Sequence, residues 1–316
     1  MTLPHDPVAT SFAAPGRIVV STDLTDTDYL LPHALAQAKA SGASLILVHA
    51  VLPHESVPME SGAIPYYDPL RLDRDARLML ETLARGVREQ GVDCTIAVRH
   101  GFVPDVVAEV VANAGAGRLI LGTHGRRGLK RFVLGSVARQ LLEAVDIPVC
   151  TVGPRAHKGA GMPATILHPV SLAGMHETST ALSLSLGQQF GSRVVLLHVI
   201  PPAPHVTRDP GRAVNAATDE LNRLVPDAVR SWTEVKAHIA LGSVVSEILH
   251  VASEIQAGLI VLGVHAPSHS WLPGTEPAAY KILVSSPCPV ISLRVHGDSA
   301  KEKSEHKEES APAVFG

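Results

Sequence analysis

Cysteine is scarce in this 316-residue chain: Cys94, Cys150 and Cys288 are the whole set, and no two share a CxxC spacing. An odd, sparse set inside apolar runs excludes a disulfide framework and points to reduced core thiols in a cytoplasmic protein. A reactive thiol is the alternative, but no basic residue stands beside any of the three in sequence. Neither sign of charge dominates, the formal net charge being -3. The chain therefore lacks the basic footprint of a general nucleic-acid binder or of a protein held on acidic membranes. No uninterrupted apolar run approaches the roughly 20 residues needed to cross a bilayer. The opening segment, MTLPHDPVATSFAAPGR, has no charged start followed by an apolar stretch, so no secretory signal is expected. Also missing are the dinucleotide fingerprint GxGxxG, the phosphate loop GxxxxGK[ST], the HExxH zinc pair and the EF-hand spacing.

What is present is a repeat. Ile18 to Asp23 resembles Ile166 to Ser171, and Gly42 to His49 matches Gly191 to His198. Gly101 with PDVVAEVV corresponds to Gly242 with VVSEILHV. Leu119 to His124 is nearly interchangeable with Leu259 to His265, and Ile147 to Cys150 echoes Cys288 to Ile291. Five matches in one order mark a duplication. The length suits two domains, and a hydrophobic fraction of 46% implies that both fold.

Within each copy, short apolar runs alternate with longer amphipathic stretches. The runs near 17–22, 44–51, 94–99, 118–122 and 147–152 are rich in Val, Ile and Leu, which suits strands covered on both faces. Between them, Leu72, Ala76, Met79, Leu80, Leu83 and Val87 fit one face of a helix over 70–90. A further helix is expected from about Pro104-Asp105, where a proline and an acid suit a first turn. This pattern predicts an α/β protein of two tandem doubly wound domains with five strands each. The expected boundaries are a flexible 1–15, a domain over 16–153, a linker over 154–163, a second domain over 164–295 and a disordered tail over 296–316.

Ligands of open α/β sheets sit beyond the carboxyl ends of the strands, where strand order reverses. In the first copy that places Ser21-Thr22-Asp23 after strand one. After strand four it places Gly122-Thr123-His124-Gly125, followed by Arg126, Arg127, Lys130, Arg131 and then Gly135-Ser136. Glycines admit an anion close to the backbone, and the amides opening the helix from Val137 to Ala144 would point at it. On spacing alone, a tight turn that binds nothing remains open. So does a structural role for His49, His124, His198 and His265, whose recurrence at matched positions suits shared packing as well as coordination.

The form G-x2-G-x9-G-[S/T] at Gly122, Gly125, Gly135 and Ser136, together with Asp23 closing strand one, resembles the universal stress protein family in its tandem, ATP-binding form. The resemblance runs from about 16 to 295. It implies a five-stranded parallel sheet in order 3-2-1-4-5 in each domain, flanked by helices. It also implies ATP, with magnesium bridging its phosphates. Ser21, Thr22 and Asp23 would meet the nucleoside, Ala50 would line the adenine pocket, and Leu121 would pack beneath the base. Gly122, Gly125, Gly135, Ser136 and Val137 would contact triphosphate and ribose. Ala138 stands where some members carry a hydroxyl, which removes one phosphate contact.

The second copy departs from this pattern. Ser171 replaces Asp23, Ala266 replaces the second glycine, and downstream register sets Glu276-Pro277 opposite Gly135-Ser136. A carboxylate repels phosphate and proline has no N–H, so this copy is not expected to bind ATP in the same way. The family further implies pairing of the two domains through their last strands, with association of two chains beyond that, and no nucleic-acid or membrane partner. The functional expectation is a nucleotide-dependent regulator of a stress response. A weak ATPase and a scaffold without nucleotide remain the alternatives, since no second carboxylate or nucleophile accompanies Asp23 at a readable spacing.

Overall fold

The computed structural model of the chain describes residues 12, 14–52, 69–123, 134–153, 155–156, 161–174, 176–203, 209–265 and 277–295. The first copy runs β1 (Arg17–Ser21), α1 (Thr27–Ser41), β2 (Ser44–Val51), α2 (Pro69–Glu89), β3 (Cys94–His100), α3 (Val103–Ala114), β4 (Arg118–Gly122), α4 (Ser136–Ala144) and β5 (Val149–Val152). The second runs β6 (Thr165–Pro169), α5 (Glu177–Phe190), β7 (Arg193–Ile200), α6 (Pro210–Arg223), β8 (Val235–Leu241), α7 (Val244–Glu254), β9 (Leu259–His265), α8 (Ala278–Ser285) and β10 (Val290–Val295). The sheet order is β3-β2-β1-β4-β5-β10-β9-β6-β7-β8, so each copy is parallel in the order 3-2-1-4-5.

Strand periodicity explains the layers. Ile18 and Val20 point into one core with Leu45 and Leu47, while Val19 points into the other with Val48, Leu119 and Leu121. The first core is covered by Leu30 and Ala34 of α1, Leu80 of α2, Leu182 of α5 and Leu221 of α6. The second is covered by Val107 of α3, Leu141 of α4, Val251 of α7 and Leu283 of α8. Helices on both faces force both strand faces to be apolar, which is why the strand runs are continuous rather than alternating. The repeat match at Gly42 and Gly191 has a backbone reason: each ends a helix in the left-handed region, at φ 66 and 65, where a side chain is unfavourable.

Helix α2 turns differently from the sequence expectation. Ala76, Leu80, Ala84 and Val87 are buried, but Leu72 is 44% exposed and Met79 55% exposed. The buried set follows steps of four, four and three, and Leu72 and Met79 sit on its flank. The three cysteines are free and buried, and burial is the leading cause that pushes their thiols up to about 11, 11 and 12 at Cys94, Cys150 and Cys288. Such thiols are poor nucleophiles.

The copies meet where β10 pairs antiparallel with β5, through Val290↔Thr151, Ile291↔Cys150 and Ser292↔Val149. Beside this ladder lies a buried polar chain. The Arg118 guanidinium donates to Gln37 Oε1 at 2.9 Å and to the Phe12 carbonyl at 2.7 Å, and Gln37 Nε2 donates to Cys150 Sγ at 3.3 Å. Burial lowers the Arg118 pKa to about 10, which leaves it charged at neutral pH. Among the described residues, no helix is long and apolar enough to cross a membrane.

Two helical glycines predict opposite outcomes. A Cβ on Gly86 of α2 would meet nothing within 4 Å, so Gly86→Ala is expected to stabilise by up to about 1 kcal/mol through helix propensity. A Cβ on Gly187 of α5 would lie 2.6 Å from Val194 Cγ2 and 3.2 Å from Thr233 Cγ2. Gly187→Ala is therefore expected to destabilise by about 1–3 kcal/mol despite the better propensity. Urea unfolding of the two variants checks both signs, and a stabilised Gly187→Ala would contradict the close helix–sheet approach.

Candidate functional site

Strands β1 and β4 are neighbours, paired Ile18↔Arg118 to Ser21↔Leu121. Their following helices leave toward opposite cores, α1 toward the first and α4 toward the second. Such a divergence is a topological switch point, where open α/β sheets have their ligand crevice at the carboxyl ends of the strands.

One wall is the β1–α1 turn. The Thr22 amide donates to Val48 O at 3.0 Å, carrying the strand pairing one residue past Ser21. His49 Nδ1 lies 2.9 Å from the Thr22 carbonyl and donates to it. The Thr22 hydroxyl donates to Asp26 Oδ1 at 2.5 Å and accepts from the Leu24 amide at 2.9 Å. Asp23 Oδ1 accepts from the Thr25 amide at 2.8 Å and from the Thr25 hydroxyl at 2.6 Å. Between these bonds Leu24 adopts φ 71, a left-handed conformation costing about 1–2 kcal/mol for a residue with a Cβ. The short polar side chains around it hold that turn.

Asp26 sits at the N-cap of α1, yet its side chain makes no cap bond and turns back to Thr22. It is 5% exposed. Burial pushes its carboxyl up to about 6, the Thr22 bond opposes the rise, and the nearby Asp23 charge adds to it.

The other wall is the start of α4. The Thr123 amide donates to Val152 O at 3.1 Å, and the Gly135 amide donates to Thr123 O at 3.0 Å. Thr123 and Gly135, on either side of the glycine loop, are thus bonded to each other. Gly135 is the N-cap at φ -56 and ψ 145, and its carbonyl accepts from Arg139 N at 3.0 Å. The amides of Ser136, Val137 and Ala138 have no acceptor within the helix, and they form its positive end.

The sequence-derived residues are placed as follows. Ser21 and Thr22 are buried and Asp23 is half-buried at the end of β1. Ala50 and Val137, both half-buried, join Leu121 and Ala138, both buried, in the second core layer. Gly122 and Gly135 are half-buried and Ser136 is exposed. Gly125 lies outside the described residues, as do His124, Arg126, Arg127, Lys130 and Arg131. Two details refine the expectation. The Gly135 amide is spent on Thr123, so the amides without an acceptor inside the helix start at Ser136. The Thr22 hydroxyl is spent inside the turn, so it shapes Asp23's surroundings. Asp26, Thr25 and Thr123 were not singled out from sequence, although the dense Thr/Asp run Ser21 to Asp28 is the signal of a side-chain-bonded turn before a helix.

The second copy gives an internal comparison. Val170 N donates to Leu197 O at 2.8 Å, and His198 Nδ1 lies 2.9 Å from Val170 O. Val170 therefore occupies the place of Thr22, and Ser171 that of Asp23. Both histidines have the same work, tying the end of the first strand to the second. Pro277 is the N-cap of α8 at φ -55 and ψ 147, which is the backbone of Gly135. The sequence register set Pro277 opposite Ser136. Helix α8 has 8 residues against 9 in α4, and that missing residue moves Pro277 to the cap. Ala266 and Glu276 lie outside the described residues.

The raised Asp26 pKa fixes a sign. With the folded value near 6 and the unfolded value near 3.8, the folded state binds the extra proton between them. Wild-type stability should then fall relative to Asp26→Asn as pH rises from 4 to 7, by roughly 1–3 kcal/mol. Asn keeps the Thr22 acceptor. Buried His168, lowered to about 4 chiefly by burial, titrates in both proteins and cancels in the difference. Paired urea unfolding at pH 4 and 7 measures it, and a pH-independent difference would contradict the buried carboxylate.

Comparison with known proteins agrees with this architecture. The model of the universal stress protein family matches residues 15–153 and again 165–294. A universal stress protein of Methanocaldococcus jannaschii is 27% identical over 139 residues, covering 43% of this chain and 81% of that protein. One from Mycobacterium tuberculosis strain H37Rv is 33% identical over 118 residues, covering 37% of this chain and 38% of that protein. Among solved structures, a universal stress protein from Archaeoglobus fulgidus DSM 4304 superposes with a TM-score of 0.66 at 16% identity, over 88% of this chain and 98% of that one. A protein from Pseudomonas aeruginosa PAO1 gives 0.62 at 18% identity, over 96% and 100%. At those identities the superpositions speak for the fold, and the family rests on the twofold match: the chain is a tandem member of the universal stress protein family.

Proposed function

We propose that the first copy binds an adenine nucleotide, ATP with magnesium, and that the chain acts as a nucleotide-dependent regulator of a stress response. The observation carrying this reading is the switch point between β1 and β4 and the residues that stand at its two sides. A carboxylate, Asp23, follows β1 on one side, and the amide end of α4 lies on the other, with Ala50, Leu121 and Val137 in the core layer they share. A carboxylate suits nucleoside hydroxyl or amino donors, an apolar floor suits a purine, and a helix N-terminus suits phosphate. The donor set suits the group: the amides of Ser136 and Val137 and the exposed Ser136 hydroxyl would meet phosphate, and magnesium would be held by phosphate oxygens and water.

The second copy supports a division of labour. It keeps the fold but has Val170 and Ser171 in place of Thr22 and Asp23, and Pro277 in place of Gly135. We read it as the structural partner in an intramolecular pair joined along β5 and β10.

Gly135→Pro tests the reading with the second copy's own chemistry. Pro277 shows that the cap backbone accepts proline, so the variant should fold, lose the bond from residue 135 to Thr123 O, and bind ATP at least about tenfold more weakly. Asp23→Ala should cost about 10- to 100-fold through the lost carboxylate acceptor. Calorimetric titration of nucleotide-stripped full chain measures both. Absence of saturable heat in the wild type would instead support a scaffold without nucleotide.

A further inference from the structure

The first-copy helix that opens on the crevice is gripped at its far end by the second copy. β10 runs antiparallel to β5, so its carboxyl end lies beside the start of β5, next to the last turn of α4. There Arg294 donates through Nη2 to the carbonyls of Leu142, at 3.2 Å, and of Glu143, while Nη1 pairs with Asp146 at 3.2 Å. Those carbonyls are among the acceptors that a helix leaves without intrahelical donors at its carboxyl end, where a cation is favourable. The Arg294 side chain is only 19% exposed, whereas Asp146 is 74% exposed, so the carbonyl contacts matter more than the ion pair.

A second hold comes from α8. The Tyr280 hydroxyl donates to Glu143 Oε1 at 3.0 Å, and the Arg139 guanidinium carbon lies 5.0 Å from the centre of the Tyr280 ring. Tyr280 is buried, which is the main reason its hydroxyl is held up near 12. Arg139 and Glu143 are one turn apart, so the ring is engaged from the first half of α4 to its last turn.

The Arg294 contact is not repeated at the equivalent position of the first copy. β4 pairs Gly122↔Val152 and β9 pairs Gly263↔Leu293, which makes Gly153 the counterpart of Arg294. Glycine has no side chain to return the contact to α8. The contact that Arg294 makes with α4 therefore has no side-chain equivalent at Gly153.

We propose that Arg294 and Tyr280 are positioning residues for the phosphate seat, fixing the axis of α4 so that the amides of Ser136 and Val137 converge on the ligand. The ligand half of this statement rests on the nucleotide reading above. The clamp itself does not. It gives the second copy a task that survives the loss of its own seat: any phosphate bound in the first copy is coupled to the integrity of the second.

Hydrogen exchange on the ligand-free full chain, with ATP and adenosine titrations beside it, tests the proposal. Arg294→Ala should speed exchange of the bonded amides from Arg139 to Ala144 by at least about fivefold while β1 and β2 keep wild-type protection. Its ATP affinity should fall about fivefold with adenosine affinity nearly unchanged, and Arg294→Lys should recover part of both losses. Tyr280→Phe, which keeps the ring but not the hydroxyl, should show the same pattern more weakly. Wild-type exchange in α4 of Arg294→Ala, or equal acceleration throughout the first copy, would overturn the clamp. If wild-type protein bound no ATP while α4 exchange still responded, the nucleotide reading would fail and the clamp would stand.

Discussion

Three residue pairs between β5 and β10 govern the whole molecule, because they join two parallel sheets in opposite directions. A parallel sheet normally ends in open edges, and here the two inner edges satisfy each other. Reversal also sends the carboxyl ends of the two sets of strands to opposite sides of the ten-stranded sheet, so the crevice and its degenerate counterpart do not share a wall. It further brings the end of β10 to the foot of α4. The asymmetry between Arg294 and Gly153 then acts on a helix whose other end faces the crevice.

The duplication supplies its own control. Two copies of one fold share strand order, helix-ending glycines and the histidine that ties the first strand to the second. Against that constant background a few residues change: Thr22 to Val170, Asp23 to Ser171, and Gly135 to Pro277. The first loses a hydroxyl, the second a carboxylate and the third an amide donor, while the matching dihedrals at Gly135 and Pro277 show that the cap backbone is kept. Fold and site are therefore separable here, the first set by apolar periodicity and the second by a handful of turn residues.

The parts legible in sequence were those governed by local pattern. Continuous apolar runs marked the strands, five ordered matches marked the duplication, and Gly122, Gly135 and Ser136 marked the end of β4 and the start of α4. Less legible were features set by distant residues. Arg118 reads as a surface cation in an apolar run, and only partners 81 and 106 positions away make it a core residue. The flank position of Leu72 and Met79 depends on how α2 is rolled against the sheet, which periodicity does not fix. Asp26 resembles an ordinary helix cap, and its turn toward Thr22 follows from the left-handed Leu24 between them. Arg294 and Tyr280 gain meaning only once β10 lies against β5.

On this reading the amide end of α4 receives a nucleotide phosphate while its counterpart in α8 does not. Backbone amide resonances followed during an ATP titration test it most directly. Saturable shifts at Ser136 and Val137, with Ala278 and Ala279 unmoved, are the result this account predicts; silence at Ser136 and Val137, or equal shifts in both helices, would contradict it.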